Sequence, residues 1–245
     1  MIRLDQALVE RGLCLSREKA KRAIIAGTVR VNNRVARKPS DSVKPDDLLT
    51  VDVPEKYVSR GGHKLEHALD FFNVDPTGWV AIDLGASTGG FTDCLLQRGA
   101  ARVYAVDVGQ GQLAWKLRQD PRVVVMEKTN ARMLTRQQFA PPFAGANLVV
   151  ADCSFISLRK IIPAAIPLLE AGGKMVALVK PQFEAGKAEA DRGAGVITDP
   201  AVHERVLREL KDFVTLETGL RWSGETQSPL IGPAGNKEFL VLLEK

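Results

Sequence analysis

The chain has 245 residues, of which 45% are hydrophobic and 26% charged, and its formal net charge is +5. This length and composition predict one α/β domain with a small second module, and they exclude a disordered, collagen-like or membrane-spanning protein. The three cysteines, Cys14, Cys94 and Cys153, lack C-x-x-C spacing and predict neither a disulfide framework nor a zinc site.

The N-terminal stretch MIRLDQALVERG carries Asp5 and Glu10 where a signal peptide requires an uninterrupted apolar segment. No run of about eighteen apolar residues occurs anywhere in the chain. We therefore expect a protein of the reducing cytoplasm without a membrane partner.

The N-terminal segment predicts a compact ααβ unit with one basic side. Apolar residues at helical spacing stop at Gly12, and Ser16 is placed to cap a second helix that ends at Gly27. Two extended pieces, TVRVNNRV and DLLTVDV, follow. Between Arg11 and Lys38 there are nine Lys or Arg and one acid, so this segment carries +8 and the rest of the chain −3. Phosphate is a natural partner for this charge, although a solvated basic face is the plainer interpretation.

Residues 3–51 resemble the S4 RNA-binding domain nearly end to end. The matching features are R-L-D, G-L-x-x-S-R, A-x-x-x-I-x-x-G-x-V-x-V-N, then K-P and D. The resemblance implies an RNA partner and no reaction. The candidate RNA-binding residues, including one in the segment that follows, are Arg3, Arg11, Ser16, Arg17, Lys19, Lys21, Arg22, Arg30, Asn32, Lys38 and Arg60.

From about Trp79 the pattern changes to apolar strands that alternate with amphipathic helices. Five segments are apolar enough for strands buried on both faces: WVAIDLGA, ARVYAVDVG, RVVVMEKTN, ANLVVADCS and KMVALVKP. A closing pair, LRWSGETQS and KEFLVLLEK, is expected to extend the sheet antiparallel. The prediction is a doubly wound α/β fold, in which ligands bind beyond the carboxyl ends of the strands.

The stretch DLGASTGGF, residues 83–91, contains G-A-S-T-G, which also fits the nucleophile elbow of hydrolases. A hydrolase elbow lies several strands into its sheet and needs a late His, whereas Ser87 follows the first strand and His203 stands at a predicted helix start. The other interpretation is a strand, a glycine-rich turn and a helix that together bind a cofactor. Because Ser87 replaces the second glycine of the dinucleotide fingerprint, a smaller ligand is favoured.

Asp107, at the end of the second strand, is placed to accept hydrogen bonds from ribose hydroxyls, although a strand-end Asp can also simply cap a helix. S-adenosylmethionine has the required shape, a nucleoside with a short polar tail. DLGASTGGFTDCLL resembles the first motif of S-adenosylmethionine-dependent methyltransferases, especially the FtsJ-like group. The candidate cofactor-binding residues are Asp83, Gly85, Ser87, Gly89, Gly90, Phe91, Asp107, Asn130 and Asp152.

Four charged residues are predicted to meet at one edge of the sheet. Lys64 lies in the first turn of a helix before strand one, Asp152 and Lys180 end strands four and five, and Glu238 begins the last strand. Taken singly, each is more commonly part of a surface salt bridge. The segment after strand four reads ADCSFISL, which lacks the motif of amino-group methyltransferases, and Cys153 without a preceding Pro is interpreted as a packed side chain.

The order Lys-Asp-Lys-Glu resembles the catalytic tetrad of FtsJ-like ribose 2′-O-methyltransferases. With SRGGHKL, DLGASTGGFTDCLL, DCSFISL, VKPQFE and GNKEF in this order, almost the whole chain is similar to the TlyA group. That family methylates cytidine ribose in ribosomal RNA and is often labelled haemolysin. The resemblance implies that Lys180 deprotonates or polarises the 2′-hydroxyl, that Asp152 and Lys64 orient it, and that Glu238 holds Lys180.

The predicted organisation is an S4 RNA-binding domain over residues 1–56, a linker over 57–62 and an FtsJ-like methyltransferase domain over 63–245. S-adenosyl-L-methionine is the expected cofactor, without a metal, and ribosomal RNA or ribosomal subunits are the expected partner of a monomer. Residues 184–200, rich in Gly, Ala and charge, predict a lid or a plain surface loop. Two alternatives stay open, a membrane-active cytolysin and a non-catalytic RNA-binding protein.

Overall fold

The computed structural model describes residues 1–52, 55–186, 189 and 195–245. The chain divides into two compact units, Met1–Lys56 and Tyr57–Lys245. The linker predicted over residues 57–62 belongs to the larger unit, because Tyr57 packs in its apolar core and a helix begins at Gly61. The low apolar content of this segment favoured a linker, but its one aromatic side chain, Tyr57, anchors it to the core of the larger unit.

The smaller unit packs two helices against short antiparallel strands. Ser16 caps the second helix as its sequence predicts, since its side chain accepts a hydrogen bond from the Lys19 N–H. Leu4, Leu8 and Ile24 are buried between the helices and the strands. The elements are β1 Ile2–Arg3, α1 Leu4–Glu10, α2 Arg17–Ile25, β2 Val29–Val31, β3 Arg34–Val35, β4 Ser42–Val43 and β5 Leu49–Val51.

The larger unit alternates strands and helices. Its elements are α3 Gly61–Phe71, β6 Val80–Leu84, α4 Gly90–Gln97, β7 Arg102–Val106, α5 Trp115–Arg118, β8 Val123–Met126, β9 Ala146–Ala151, α6 Ile162–Ala165, β10 Leu169–Val179, α7 Pro181–Glu184, α8 Pro200–Phe213, β11 Arg221–Gln227 and β12 Phe239–Glu244. Within the described residues no helix is long and apolar enough to cross a bilayer.

One sheet of seven strands, in the order β11-β12-β10-β9-β6-β7-β8, forms the centre of the larger unit. The pairs among β6 to β10 are parallel, and β12 runs antiparallel to both β10 and β11. Ile82 packs into the apolar cluster on one face and Ala81 into the cluster on the other, which explains why these strands are apolar throughout. The predicted doubly wound α/β fold is confirmed.

The first strand of the sheet lies between β7 and β9, so the strand order reverses at β6. Such a reversal opens a cleft at the carboxyl ends of the strands. Gly85 lies at this point with a φ of +83°, and a Cβ there would stand 3.0 Å from the Asp152 carbonyl oxygen. Only glycine accommodates both the left-handed backbone and the close approach of the two strand ends.

Candidate active site

Two neighbouring cavities open at the carboxyl ends of β6 and β9. We call the first, of about 310 Å³, the lysine cavity, because Lys64 and Lys180 line it. We call the second, of about 490 Å³, the Asp107 cavity. The residues common to both walls are Gly85, Ser87, Asp152 and Ser154. The two cavities therefore adjoin at these four residues, and ligands bound in them would be neighbours.

The four charged residues predicted to meet all line the lysine cavity. They form two ion pairs: Lys64 Nζ lies 2.5 Å from Glu238 Oε2, and Lys180 Nζ lies 2.6 Å from Asp152 Oδ1. Both lysines are 8% exposed and Glu238 is 2% exposed. Each lysine nitrogen thus faces one carboxylate oxygen, the partner that a buried positive charge requires.

The partner predicted for Glu238 is corrected by this arrangement. The prediction made Glu238 hold Lys180, whereas in the structure Glu238 pairs with Lys64 on α3 and Lys180 pairs with Asp152. Gly232 packs against this carboxylate, since a Cβ at Gly232 would lie 2.7 Å from Glu238 Oε1. Close packing by this glycine holds the Glu238 carboxylate in place.

Ser154 is a site residue that the sequence interpretation missed. Its Oγ lies 2.8 Å from Lys180 Nζ, which donates a hydrogen bond to it, and its side chain lines both cavities. The available signal was its position two residues after Asp152 in the same loop. A small hydroxyl residue there has no sequence pattern that separates it from an ordinary loop serine.

The glycine-rich turn between β6 and α4 shapes the wall of the lysine cavity. Four of the residues predicted to bind the cofactor line it: Gly85, Ser87, Gly90 and Phe91. Gly89 lines neither cavity among the described residues: its φ is +96°, and a Cβ there would clash with Leu117 at 2.3 Å. Gly89 therefore serves the turn and the packing beneath it.

The contacts of Ser87 fit a cofactor-binding turn better than a hydrolase nucleophile. Its backbone N–H donates to Asp107 Oδ2 at 2.8 Å, and its Oγ lies 3.2 Å from Gln112 Oε1. The late histidine, His203, is buried, and its Nε2 lies 3.0 Å from the Ile197 carbonyl oxygen. Neither contact supports a hydrolytic triad.

Asp107 and Asn130 both line the Asp107 cavity. The Asp107 carboxylate accepts the Ser87 N–H and, at 2.7 Å, the Gly109 N–H, so its orientation is fixed. Asn130 caps a short 3₁₀ turn through its side-chain oxygen. A fixed carboxylate beside an apolar-lined cavity has the chemistry that a ribose diol requires.

Asp83 is fully buried and lines the lysine cavity. Its Oδ2 accepts the Thr92 N–H at 2.9 Å and the Thr92 hydroxyl at 2.7 Å, whereas its Oδ1 has no hydrogen-bond partner within the described part of the chain. Burial, with the neighbouring carboxylates Asp152 and Asp107, raises the pKa of Asp83 to about 7.

An unpartnered, buried carboxylate oxygen beside a glycine-rich turn fits the ammonium of an amino-acid tail. The adjoining Asp107 cavity fits a nucleoside. The residues present therefore suit S-adenosylmethionine, with its tail toward Asp83 and its adenosine toward Asp107.

Cys153 lies directly after Asp152 and packs against the core. Burial raises the pKa of its thiol to about 12. A thiol with so high a pKa is a poor nucleophile at neutral pH, which agrees with the interpretation of Cys153 as a packed side chain.

The predicted RNA-binding residues differ in how firmly they are engaged within the smaller unit. Most of them are held by their own unit. Arg3 and Arg17 both pair with buried Asp5, Arg11 donates to the carbonyls of residues 44, 45 and 47, Lys21 pairs with Glu18, Arg30 pairs with Asp52, Asn32 bonds to Asp47, and Ser16 caps α2.

Lys19, Arg22 and Lys38 are exposed. No ion pair of theirs is found among the described residues of the smaller unit. These three are the predicted RNA contacts whose charge is available without breaking a bond. Arg60, in the larger unit, is exposed at the N-terminus of α3 and lines the lysine cavity.

The fold and the site together define a Rossmann-like methyltransferase. Residues 57–245 match the family model described as FtsJ-like methyltransferase, and residues 2–49 match the S4 domain.

Similar proteins cover nearly the whole chain. A Bacillus subtilis (strain 168) protein provisionally named rRNA methyltransferase YqxC is 52% identical over 98% of this chain and 85% of its own length. The 16S/23S rRNA (cytidine-2′-O)-methyltransferase TlyA of Mycobacterium tuberculosis (strain ATCC 25618 / H37Rv) is 47% identical over 98% and 89%. A solved structure of a hemolysin-named protein from Streptococcus thermophilus is 44% identical, with a TM-score of 0.75 over 99% of this chain and 88% of that one. The chain belongs to the TlyA family, in which an S4 domain precedes an FtsJ-like methyltransferase domain.

Proposed function

We propose that this protein transfers the methyl group of S-adenosylmethionine to the 2′-hydroxyl of cytidine in ribosomal RNA, within the cytoplasm and on RNA or assembled ribosomal subunits. The observation that carries the proposal is the lysine cavity, where two lysine–carboxylate pairs stand beside the glycine-rich turn. The names of the relatives support the choice of ribosomal RNA and of the cytidine ribose.

Asp83, Gly85, Ser87 and Asp107 would hold the cofactor, which when bound supplies an electrophilic methyl group on a sulfonium. Asp83 contributes a carboxylate oxygen for the ammonium of the tail, and Asp107 contributes one for the ribose diol. Gly85 lets the backbone approach the ligand closely. The Asp107 cavity and the lysine cavity share a wall, so an acceptor hydroxyl in the lysine cavity would lie beside the methyl donor.

Lys180, as the neutral amine, would take up the proton of the attacking 2′-hydroxyl, and Asp152 would pair with the ammonium that forms. Asp152 at 2.6 Å and Ser154 at 2.8 Å fix the position of Lys180 Nζ from two sides. A hydroxyl oxygen is a weak nucleophile until its proton is shared, and a positioned side chain supplies that assistance at the moment of attack. Lys64, held by Glu238, supplies a positive charge to the same cavity and would orient the acceptor.

The direct test is methyl transfer with radiolabelled S-adenosylmethionine and ribosomal subunits or free ribosomal RNA. We expect label on ribose, detected as reverse-transcription stops at low nucleotide concentration and as 2′-O-methylcytidine after digestion. Label on a base would contradict the proposal. Transfer to no RNA despite cofactor binding would favour a non-catalytic RNA-binding protein, and lysis of liposomes by the purified protein would favour a cytolysin.

The raised pKa of Asp83 predicts a pH dependence of cofactor affinity. The free carboxyl is largely neutral below about pH 7 and ionised above it, and an ammonium binds the ionised form. We expect the affinity for S-adenosylhomocysteine, measured by calorimetry, to rise about eightfold between about pH 6 and pH 7.5, in proportion to the ionised fraction of Asp83. An affinity that stays constant over this interval would contradict the role of Asp83.

Asp83→Asn is the control for this pH dependence. The amide keeps an oxygen for the Thr92 donors and cannot ionise, so binding should be weaker and independent of pH.

The raised pKa of Asp83 also affects the folding stability of the free protein. A raised pKa means that the folded state holds a proton that the unfolded state has lost, so the stability supplied by Asp83 is lost as the pH rises through about 7.

The unpaired cations of α2 predict how RNA binding responds to salt. The variant Lys19→Glu/Arg22→Glu should bind ribosomal RNA more weakly, and the slope of log affinity against log salt should fall by about 2, because each lost phosphate contact lowers it by about 1. Filter binding across a salt series measures this slope.

A charge-matched control is available on α8. Arg208 and Lys211 are exposed, have the same i, i+3 spacing and undergo the same charge change in Arg208→Glu/Lys211→Glu. We expect the salt slope of this variant to stay within about 0.5 of the wild-type value. Equal losses in the two double variants would mean that net charge, rather than the α2 surface, governs RNA binding.

A further inference from the structure

Two segments meet beneath the lysine cavity. The first, which we call the lysine segment, is residues 180–184 and consists of Lys180 and the four-residue helix α7. The second, which we call the aspartate loop, is residues 152–158 and joins β9 to a short 3₁₀ turn. At one end of their contact Lys180 Nζ lies 2.6 Å from Asp152 Oδ1.

Glu184 binds the other end of the aspartate loop. Its Oε2 accepts the Ser157 hydroxyl at 2.7 Å, and its Oε1 accepts the Leu158 N–H at 2.7 Å. The side chain is half-buried, and burial raises the pKa of its carboxyl. Both oxygens of one carboxylate are therefore committed to the loop that carries Asp152.

The contact between the segments keeps the same order along its length. Between the ion-paired end and the end hydrogen-bonded by Glu184, the rings of Phe183 and Phe155 have centroids 5.2 Å apart. Phe155 has a φ of +62° and is 90% exposed, so the middle of the loop is neither helical nor held by burial. Its position depends on how the two ends are fastened.

The near end of the aspartate loop is fastened to the sheet. The Asp152 N–H donates to the Leu84 carbonyl oxygen at 3.0 Å. The far end is fastened by Glu184, which lies four residues after Lys180 in the partner segment. Glu184 thus adds a polar connection at the far end of the aspartate loop to those that Lys180 makes with Asp152 and Ser154 at the near end.

We propose that Glu184 is a positioning residue of methyl transfer, which fixes the Lys180–Asp152 pair by clamping the aspartate loop to the lysine segment. This inference rests on the proposed function, because it assigns a role in the same reaction. Glu184 itself touches no reacting atom. Its removal should leave each charged partner in the chain but loosen the distance between them.

The test is kcat for methyl transfer to ribosomal RNA at saturating S-adenosylmethionine and RNA. Glu184→Ala should lower kcat by about 10- to 100-fold, the usual loss when reacting groups are misplaced by about 1 Å. Glu184→Gln should stay within about threefold of wild type, since the amide oxygen can accept the Leu158 N–H and the amide nitrogen can donate to Ser157 Oγ.

A double-mutant cycle separates positioning from a general loss of structure. If Glu184 acts through the Lys180–Asp152 pair, then Glu184→Ala should cost less in an Asp152→Asn background than in wild type. The same fold-loss in both backgrounds would overturn the inference. If Glu184→Ala fails to fold, Ser157→Ala, which removes one of the two bonds, is judged by the same criteria.

Asp75 provides a matched control outside the site. Its Oδ1 accepts the Thr77 N–H at 3.0 Å and the Thr77 hydroxyl at 2.6 Å, and a backbone N–H and a hydroxyl are also the two kinds of donor that Glu184 binds. Asp75→Ala should leave kcat unchanged. A wild-type enzyme that transfers methyl groups beside an equally active Glu184→Ala variant overturns this inference alone, whereas a wild type without transfer overturns the proposed function and the inference together.

Discussion

Replacing Lys180 by alanine is expected to lower kcat for ribose methylation by about 10²- to 10⁴-fold, the range that a positioned general base contributes. Lys180 Nζ is buried, fixed between Asp152 and Ser154, and aimed at the lysine cavity. Among the described residues no other basic side chain forms an ion pair with Asp152, so the variant lacks the positioned proton acceptor. Single-turnover transfer of radiolabel to ribosomal RNA measures the loss.

Cofactor binding should survive this change, because the residue assigned to the tail, Asp83, lies on β6 and the residue assigned to the ribose, Asp107, directly follows β7. Calorimetry with S-adenosylhomocysteine checks that the Lys180→Ala variant is folded and loaded. Lys180→Met gives the same test with the side-chain volume retained. A rate within tenfold of wild type in both variants would remove Lys180 from the reaction.

Lys174 is the matched control for Lys180. It lies on β10, the strand that Lys180 follows, and pairs with Glu244. It lines neither the lysine cavity nor the Asp107 cavity. Lys174→Ala removes the same charge and an ion pair from the same strand, and kcat should remain that of wild type.

The meeting of four distant residues could be predicted because parallel strands end at one edge of a sheet. The pairing among them could not. Val179 and Phe239 are direct neighbours in the antiparallel β10–β12 register. Lys180 follows Val179 and Glu238 precedes Phe239, so the register alone predicts an ion pair between Lys180 and Glu238. The position of α3, which brings Lys64 to Glu238, is set by packing that no short sequence pattern encodes.

The run of basic residues in the smaller unit could also be predicted from the sequence. Which of these residues already pair with a carboxylate could not. Asp5 is fully buried inside an apolar helix pattern, and the structure shows two arginines, Arg3 and Arg17, bound to it. The hydrogen bond from Arg3, with the help of Arg17, lowers the pKa of Asp5 to about 2. The sequence does not distinguish arginines whose charge a buried carboxylate already balances from basic residues without such a partner, and the latter attract phosphate more strongly.

Replacing Glu238 by alanine is expected to lower the free energy of unfolding by about 3–5 kcal/mol. Glu238 is 2% exposed and its Oε2 lies 2.5 Å from the Nζ of Lys64, which is itself 8% exposed. Truncation leaves a buried ammonium without its carboxylate, and the cost of an uncompensated charge exceeds that of an ordinary lost hydrogen bond. Urea denaturation followed by circular dichroism measures the change.

Asp70 supplies a comparison at the surface of α3, the helix that carries Lys64. It pairs with Arg98 at 2.7 Å, but its side chain is 60% exposed, so Asp70→Ala should cost no more than about 1 kcal/mol. The double variant Lys64→Met/Glu238→Leu removes both buried charges and should recover most of the stability lost in Glu238→Ala. It should nevertheless remain as slow in methyl transfer as Lys64→Met alone. Recovery of stability without recovery of rate would assign the pair to catalysis rather than to folding, and a Glu238→Ala variant as stable as wild type would contradict the burial of this ion pair.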